Sequence, residues 1–176
     1  MSKKFTAGAK FPELTVPKLG GGELALGKPE KGDWTMVVVY RGKHCPMCTR
    51  YLGTLEEMRA DFEALGVDLQ TVSGDPEEKA SAHMADVGVT FPVGYGLTIE
   101  QMTALGLYIS HPRSPKETDR PFPEPGLFVV NSDGAVQVLD ISNSPFSRPE
   151  LATLLNGLKF IRNPENNYPV RGTYET

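Results

Sequence analysis

Two cysteines, Cys45 and Cys48, lie three positions apart in the run VVVYRGKHCPMCTRYL, and they are the only cysteines in the chain. A C-x-x-C pair can do dithiol redox chemistry, supply half of a metal site, or be two small core residues. The neighbours bear on the choice. Pro46 suits the first turn of a helix, where its missing N–H costs little, so Cys45 falls at the position just before that helix. A sulfur placed there faces free backbone N–H groups and the positive end of the helix dipole. Both favour thiolate over thiol, and Arg41, Lys43 and His44 add positive potential. Cysteines in such surroundings can fall to a pKa of ~3.5–7.5, and the thiolate is the attacking form. Cys48 shares the first turn and begins the apolar stripe of the same helix. The expected geometry is asymmetric, with Cys45 exposed at the tip and Cys48 turned inward. One sulfur attacks, and the other resolves the adduct by closing the Cys45–Cys48 disulfide.

Zinc usually takes four ligands. The chain offers two cysteines and three histidines, His44, His83 and His111, with no second close pair. Haem attachment through C-x-x-C-H fails at Thr49. The plain reading, two small core residues, stays open. No metal or organic cofactor is implied.

The elements that must position the pair follow from periodicity. TMVVVY (35–40) is a β-branched run of the kind buried on both sheet faces. Pro46 to Leu65 reads as one helix, with Leu52, Leu55, Met58, Phe62 and Leu65 on one face and Gly66 to stop it. VDLQTVSG (67–74) reads as a second inner strand. Asp75 with Glu78 reads as a capped helix start running to about Val87. FPVGYG is a short extended piece, and Thr98 with Gln101 opens a short helix that Gly106 can close. GLFVV and AVQVLDI are strands joined by Asn131-Ser132-Asp133-Gly134, a hairpin signal. Ser147-Arg148-Pro149-Glu150 starts a last helix striped by Leu151, Leu154, Leu155, Leu158 and Ile161. Ahead of all this, FPELTVPKLGGGELAL alternates around three glycines and reads as a short hairpin or two edge strands. The proline-rich loop 108–125 is long enough to be functional or flexible. The alternation predicts an α/β protein, a central mixed β-sheet flanked by helices.

With 176 residues the chain fits one domain with a sizeable core, spanning 1–162, with a C-terminal tail over 163–176. The net charge of −4 argues against a nucleic-acid partner. No apolar run approaches a membrane span, and MSKKFTAGAKFPEL lacks the apolar core of a secretory signal. A cytoplasmic location is the default, and there a close cysteine pair points to redox or metal chemistry rather than a structural bridge.

VVVYRGKHCPMC entering an amphipathic helix resembles the active-site region of thioredoxin-fold proteins. Residues 8–21, G-x-x-F-P-x-L-x-V-P-x-L-G-G, resemble the start of a peroxiredoxin of the alkyl hydroperoxide reductase/thiol-specific antioxidant (AhpC/TSA) family, and EPGLFVVNSDGAVQVLDI resembles that family's late strand pair. The resemblance covers about residues 5 to 160, and only the cysteine motif is specific. It implies a thioredoxin-like fold with an N-terminal β-hairpin extension, a nucleophilic Cys45, a resolving Cys48, and a cis-proline at Pro125. Three features depart from the family's pattern. Val38 replaces a proline seven residues before the attacking cysteine. Gly42 replaces a Thr or Ser three residues before it, whose hydroxyl helps hold the peroxide. The family's arginine has no clear counterpart, with Arg41, Arg113 and Arg120 as candidates.

The leading expectation is an antioxidant thiol oxidoreductase. Cys45 attacks a hydroperoxide or a disulfide, and a thioredoxin- or glutathione-type donor restores the pair. Arg41, His44, Pro46 and Pro125 support the site. Met47 and Tyr51 are placed at the helix mouth, Tyr40 at the strand end, and Trp34 in the core. A disulfide reductase without peroxidase activity, and a redox sensor or binding module, are the alternatives. The 108–125 loop and the tail could cover the site or make a homodimer contact.

Overall fold

The structure is a computed structural model, and it describes residues 4–176. The first three residues of the opening stretch read above lie outside the described residues. The N-terminal hairpin pairs β1 (Thr15–Pro17) with β2 (Glu23–Ala25) around the glycine turn. The chain then enters β3 (Trp34–Val39), whose six residues are all buried. The helical segment after it forms α1 (Pro46–Glu57) and α2 (Arg59–Ala64), followed by β4 (Val67–Val72). Next come α3 (Glu77–Val87), β5 (Val93–Gly94), α4 (Ile99–Ala104), β6 (Ile109–Ser110) and β7 (Phe122–Pro123). The chain finishes with β8 (Gly126–Val130), β9 (Val136–Ile141), α5 (Leu151–Arg162) and one 3-10 turn.

The central sheet has the order β5-β4-β3-β8-β9. β3 is parallel to β4 and antiparallel to β8, so the sheet is mixed. Because β3 lies inside it, its alternating side chains feed two cores. Met36 and Val38 join α1, α2, α3 and α5 on one face. Val37 and Val39 join the N-terminal hairpin and α4 on the other. The β8–β9 turn forms as the sequence predicts: Asn131 Oδ1 accepts the N–H groups of Asp133 and Ala135, and Gly134 takes φ 75°.

Several local expectations are corrected. The single helix over 46–65 breaks at Met58 (φ −97°, ψ 1°). The Met58 N–H reaches both Thr54 O and Leu55 O at 3.1 Å, a tightened final turn, yet Leu55 and Phe62 on either side are both fully buried. Asp75 does not cap α3; Pro76 holds that position, and the Asp75 carboxylate accepts the Lys43 N–H at 2.8 Å instead. The last helix is preceded by Glu150, which makes no side-chain cap. The 108–125 loop is tied at its ends by the β6–β7 pairing. No peptide bond among the described residues is cis, so the bond before Pro125 is trans, with the Pro125 carbonyl accepting Ser142 N–H at 3.0 Å.

Candidate active site

β3 ends at Val39, directly ahead of the loop Tyr40–His44, and that loop delivers the chain to α1. Cys45 is the N-cap of α1, with extended backbone (φ −112°, ψ 98°), and Pro46 follows at the first helical position. The Cys45 sulfur accepts the Cys48 backbone N–H at 3.3 Å, a donor the helix itself leaves unpaired. Both cysteines are free thiols.

Cys45 is not exposed as the sequence suggested: 1% of its surface is accessible, and Cys48 is fully buried. Cys45 belongs to the core cluster of β3 and α1, and the end of the 108–125 loop packs on the two residues Arg41 and His44 just ahead of it, a contact that local periodicity does not reveal. Phe122 on β7 lies against His44 (4.5 Å between ring centroids), and the Arg41 guanidinium stacks on the same ring at 4.8 Å. Arg41 is fixed by Glu124, its Nε lying 3.1 Å from Oε1 and 2.9 Å from Oε2. Ser110 on β6 also donates to Oε1 at 3.0 Å.

The electrostatics separate the two sulfurs. Hydrogen bonding from Cys48, through its side chain and its backbone N–H, pulls Cys45 down to about 5 against the cost of burial, with Arg41 adding to the effect. The Cys48 thiol is pushed up by its hydrogen bond to Cys45, by burial, and by repulsion from the Cys45 charge. One proton is thus shared unequally, with Cys45 as the thiolate. His44 is held below its ordinary value by burial and by Arg41, so it is neutral beside the site.

Gly42 carries a physical explanation of its own. Its φ of +142° disfavours any side chain, and a Cβ there would meet Asp75 Oδ1 at 2.8 Å and Oδ2 at 3.0 Å. The space that the family's hydroxyl would need is occupied by the Asp75 carboxylate. Val38, the other departure, is a buried core residue of β3.

The remaining predicted residues are placed as follows. Tyr51 is half-buried, donates from its hydroxyl to Pro149 O at 2.7 Å, and lines a 260 Å³ groove with Met47, Thr54, Pro145 and Phe146. Tyr40 is buried against His83 at the end of β3, and Trp34 is in the core under Arg162. Pro125 is buried beside Tyr51 and Pro149. Arg113 and Arg120 pair with Glu117 and Asp119 in the loop.

Besides the site contact of Asp75 described above, sequence reasoning missed two residues. Glu124 holds Arg41 across 83 positions of chain. Arg148, read only as part of a helix start, donates from Nη2 to the Cys48 sulfur at 3.4 Å, across 100 positions.

The AhpC/TSA family model matches residues 7–139. A Mycobacterium tuberculosis (strain H37Rv) protein bearing the name peroxiredoxin is 27% identical over 135 residues, covering 77% of this chain and 84% of the relative. Alkyl hydroperoxide reductase C of Amphibacillus xylanus is 23% identical over 158 residues, covering 90% of this chain and 76% of the relative. The crystal structure of the peroxidoxin BcpB from Mycobacterium tuberculosis superposes with a TM-score of 0.74 at 17% identity, covering 91% of this chain and 100% of that one, and shares the fold. No helix among the described residues is long and apolar enough to cross a membrane. The chain belongs to the AhpC/TSA family and is a peroxiredoxin-like thiol oxidoreductase with the thioredoxin fold.

Proposed function

We propose that Cys45 is the attacking thiolate for hydroperoxides and that Cys48 resolves the product as an internal disulfide. The observation that carries this reading is the unequal pair: Cys45 is held at about 5 at the helix N-cap, and Cys48 is kept protonated beside it. Cys45 attacks the O–O bond, the distal oxygen becomes Cys45 sulfenic acid, and the leaving alkoxide or hydroxide takes a proton. Cys48 then displaces the sulfenic oxygen as water. Arg41, steadied by Glu124, stands beside the nucleophile, where its charge opposes protonation and its remaining N–H groups can meet the oxygen that gains charge. His44, adjacent to Cys45 in the chain, packs on Phe122, Pro46 starts the helix that presents Cys45, and Pro125 packs beside Tyr51. The name of the Amphibacillus relative supports a hydroperoxide as substrate.

A thioredoxin- or glutathione-type thiol then returns the disulfide to the dithiol by exchange, in the reducing setting of the cytoplasm. A homodimer contact through the 108–125 loop or the tail is part of this reading.

One observation favours a second reading, a disulfide reductase: Asp75 occupies the place of the family's hydroxyl. Competition decides between them. Reduced protein is offered a hydroperoxide and a glutathione mixed disulfide together, and each second-order rate constant is measured. Faster reaction with the hydroperoxide, lost in Cys45→Ser, is expected. Preference for the mixed disulfide overturns the peroxidase reading.

A further inference from the structure

The reaction has a difficulty at its second step. Cys48 must lose its proton to attack, yet it is fully buried and pushed up by the neighbouring Cys45 thiolate. That repulsion is relieved when Cys45 is oxidised, because in the protonated sulfenic acid the Cys45 sulfur no longer carries the charge. What then favours the Cys48 thiolate is the cation beside it. Arg148 Nη2 lies 3.4 Å from the Cys48 sulfur. Its guanidinium is held in place from two sides: Nε and Nη2 donate to Pro145 O at 3.1 and 2.9 Å, and the plane stacks on the Tyr51 ring at 4.8 Å. Tyr51 is fixed in turn by its bond to Pro149 O. Among the described residues the hydrogen-bond acceptors of Arg148 are the Pro145 carbonyl and the Cys48 sulfur; Asp140 lines the same small cavity but makes no ion pair with the guanidinium.

We propose that Arg148 is a catalytic residue for the resolving step, stabilising the Cys48 thiolate once Cys45 has become sulfenic acid. This rests on the peroxidase reading above. The two arginines divide the work, Arg41 beside Cys45 and Arg148 beside Cys48. The negative charge that leaves Cys45 with the departing oxygen reappears on Cys48. Cys48 gives up its proton, its sulfur bonds to the Cys45 sulfur, the S–O bond breaks, and hydroxide with the released proton leaves as water. The opposition from Cys45 to Cys48 ionisation, and the opposing pull of Arg148, are both present in the reduced site.

The test has two arms on the full chain. In Cys45→Ser the neighbouring charge is gone, as it is in the sulfenic acid, and Cys48 is titrated by its thiolate absorbance. Adding Arg148→Gln should raise the Cys48 pKa by about one unit, a tenfold loss of thiolate at a given pH below it. Arg148→Lys, which keeps the charge, should recover part of the shift and guards against a folding artefact. Identical titrations with and without Arg148 overturn the proposal. This arm needs no peroxide, so it stands even if the peroxidase reading fails. In the second arm the Arg148→Gln protein with both cysteines receives one equivalent of hydroperoxide and is quenched with a sulfenic-acid trap. The trapped Cys45 sulfenic acid should persist about tenfold longer than in wild type, with disulfide closure accelerating as pH rises. Closure at the wild-type rate with the wild-type pH profile contradicts the proposal.

Discussion

At the scale of single residues, the chemistry depends on where one proton resides. Cys45 has its pKa at about 5, so its reactive form is complete at neutral pH. As pH falls through that value the sulfur gains a proton, and the rate of Cys45 oxidation should drop about tenfold per unit below it. Stopped-flow oxidation between pH 4 and 8, values bracketing the expected midpoint, reads this directly. Arg41→Met removes a cation that favours the thiolate, so the same profile should move to higher pH. An unmoved profile would remove Arg41 from the site. Gly42→Thr restores the family's hydroxyl by type but not by space, since the Asp75 oxygens and φ +142° oppose it. It should destabilise the fold by about 1–3 kcal/mol in urea unfolding without raising the peroxide rate. The cysteines were legible in the sequence because helix geometry relates neighbours three apart. Arg148, Glu124 and Asp75 were not, because each reaches the site across a gap of 100, 83 or 32 positions that only the folded sheet closes.

At the scale of elements, α1 presents Cys45 by means of its own burial. Cys48, Leu52 and Leu55 form its buried stripe against β3 and the helices beside it. Leu52→Ala should cost about 2–5 kcal/mol in urea unfolding, and it should also slow Cys45 oxidation if the N-cap loses its register. The stripe was readable from spacing alone, whereas the break at Met58 was not, because no glycine or proline marks it. The Thr98–Gln101 capping box was readable and forms with both reciprocal bonds. The capping role expected of Asp75 failed for a tertiary reason: its carboxylate serves the Lys43 N–H of the cysteine loop. Short motifs hold where their partners are local and yield where a distant backbone competes for the same side chain.

At the scale of the whole molecule, the mixed sheet brings the end of β3, the β6–β7 pairing and the segment before α5 to one place. The alternation of β and α runs foretold the sheet, but not that the end of the proline loop would pack on Arg41 and His44 ahead of Cys45. We regard residues 1–162 as one domain and 163–176 as an appended tail. The tail touches the domain through Tyr168 on Phe160 and through Val170 and Thr173 near Gly8. Ending the chain after Asn163 should therefore cost about 1 kcal/mol of stability and leave Cys45 oxidation within about twofold of wild type. The central claim, that Cys45 takes the oxygen and Cys48 closes on it, is tested most directly by intact mass. Fully reduced protein is mixed with one equivalent of hydroperoxide and quenched in acid within seconds. The account predicts that wild type loses two hydrogens, Cys48→Ser gains one oxygen, and Cys45→Ser keeps its mass. Rapid oxidation of Cys45→Ser, or wild type that stays reduced under the same pulse, would contradict it.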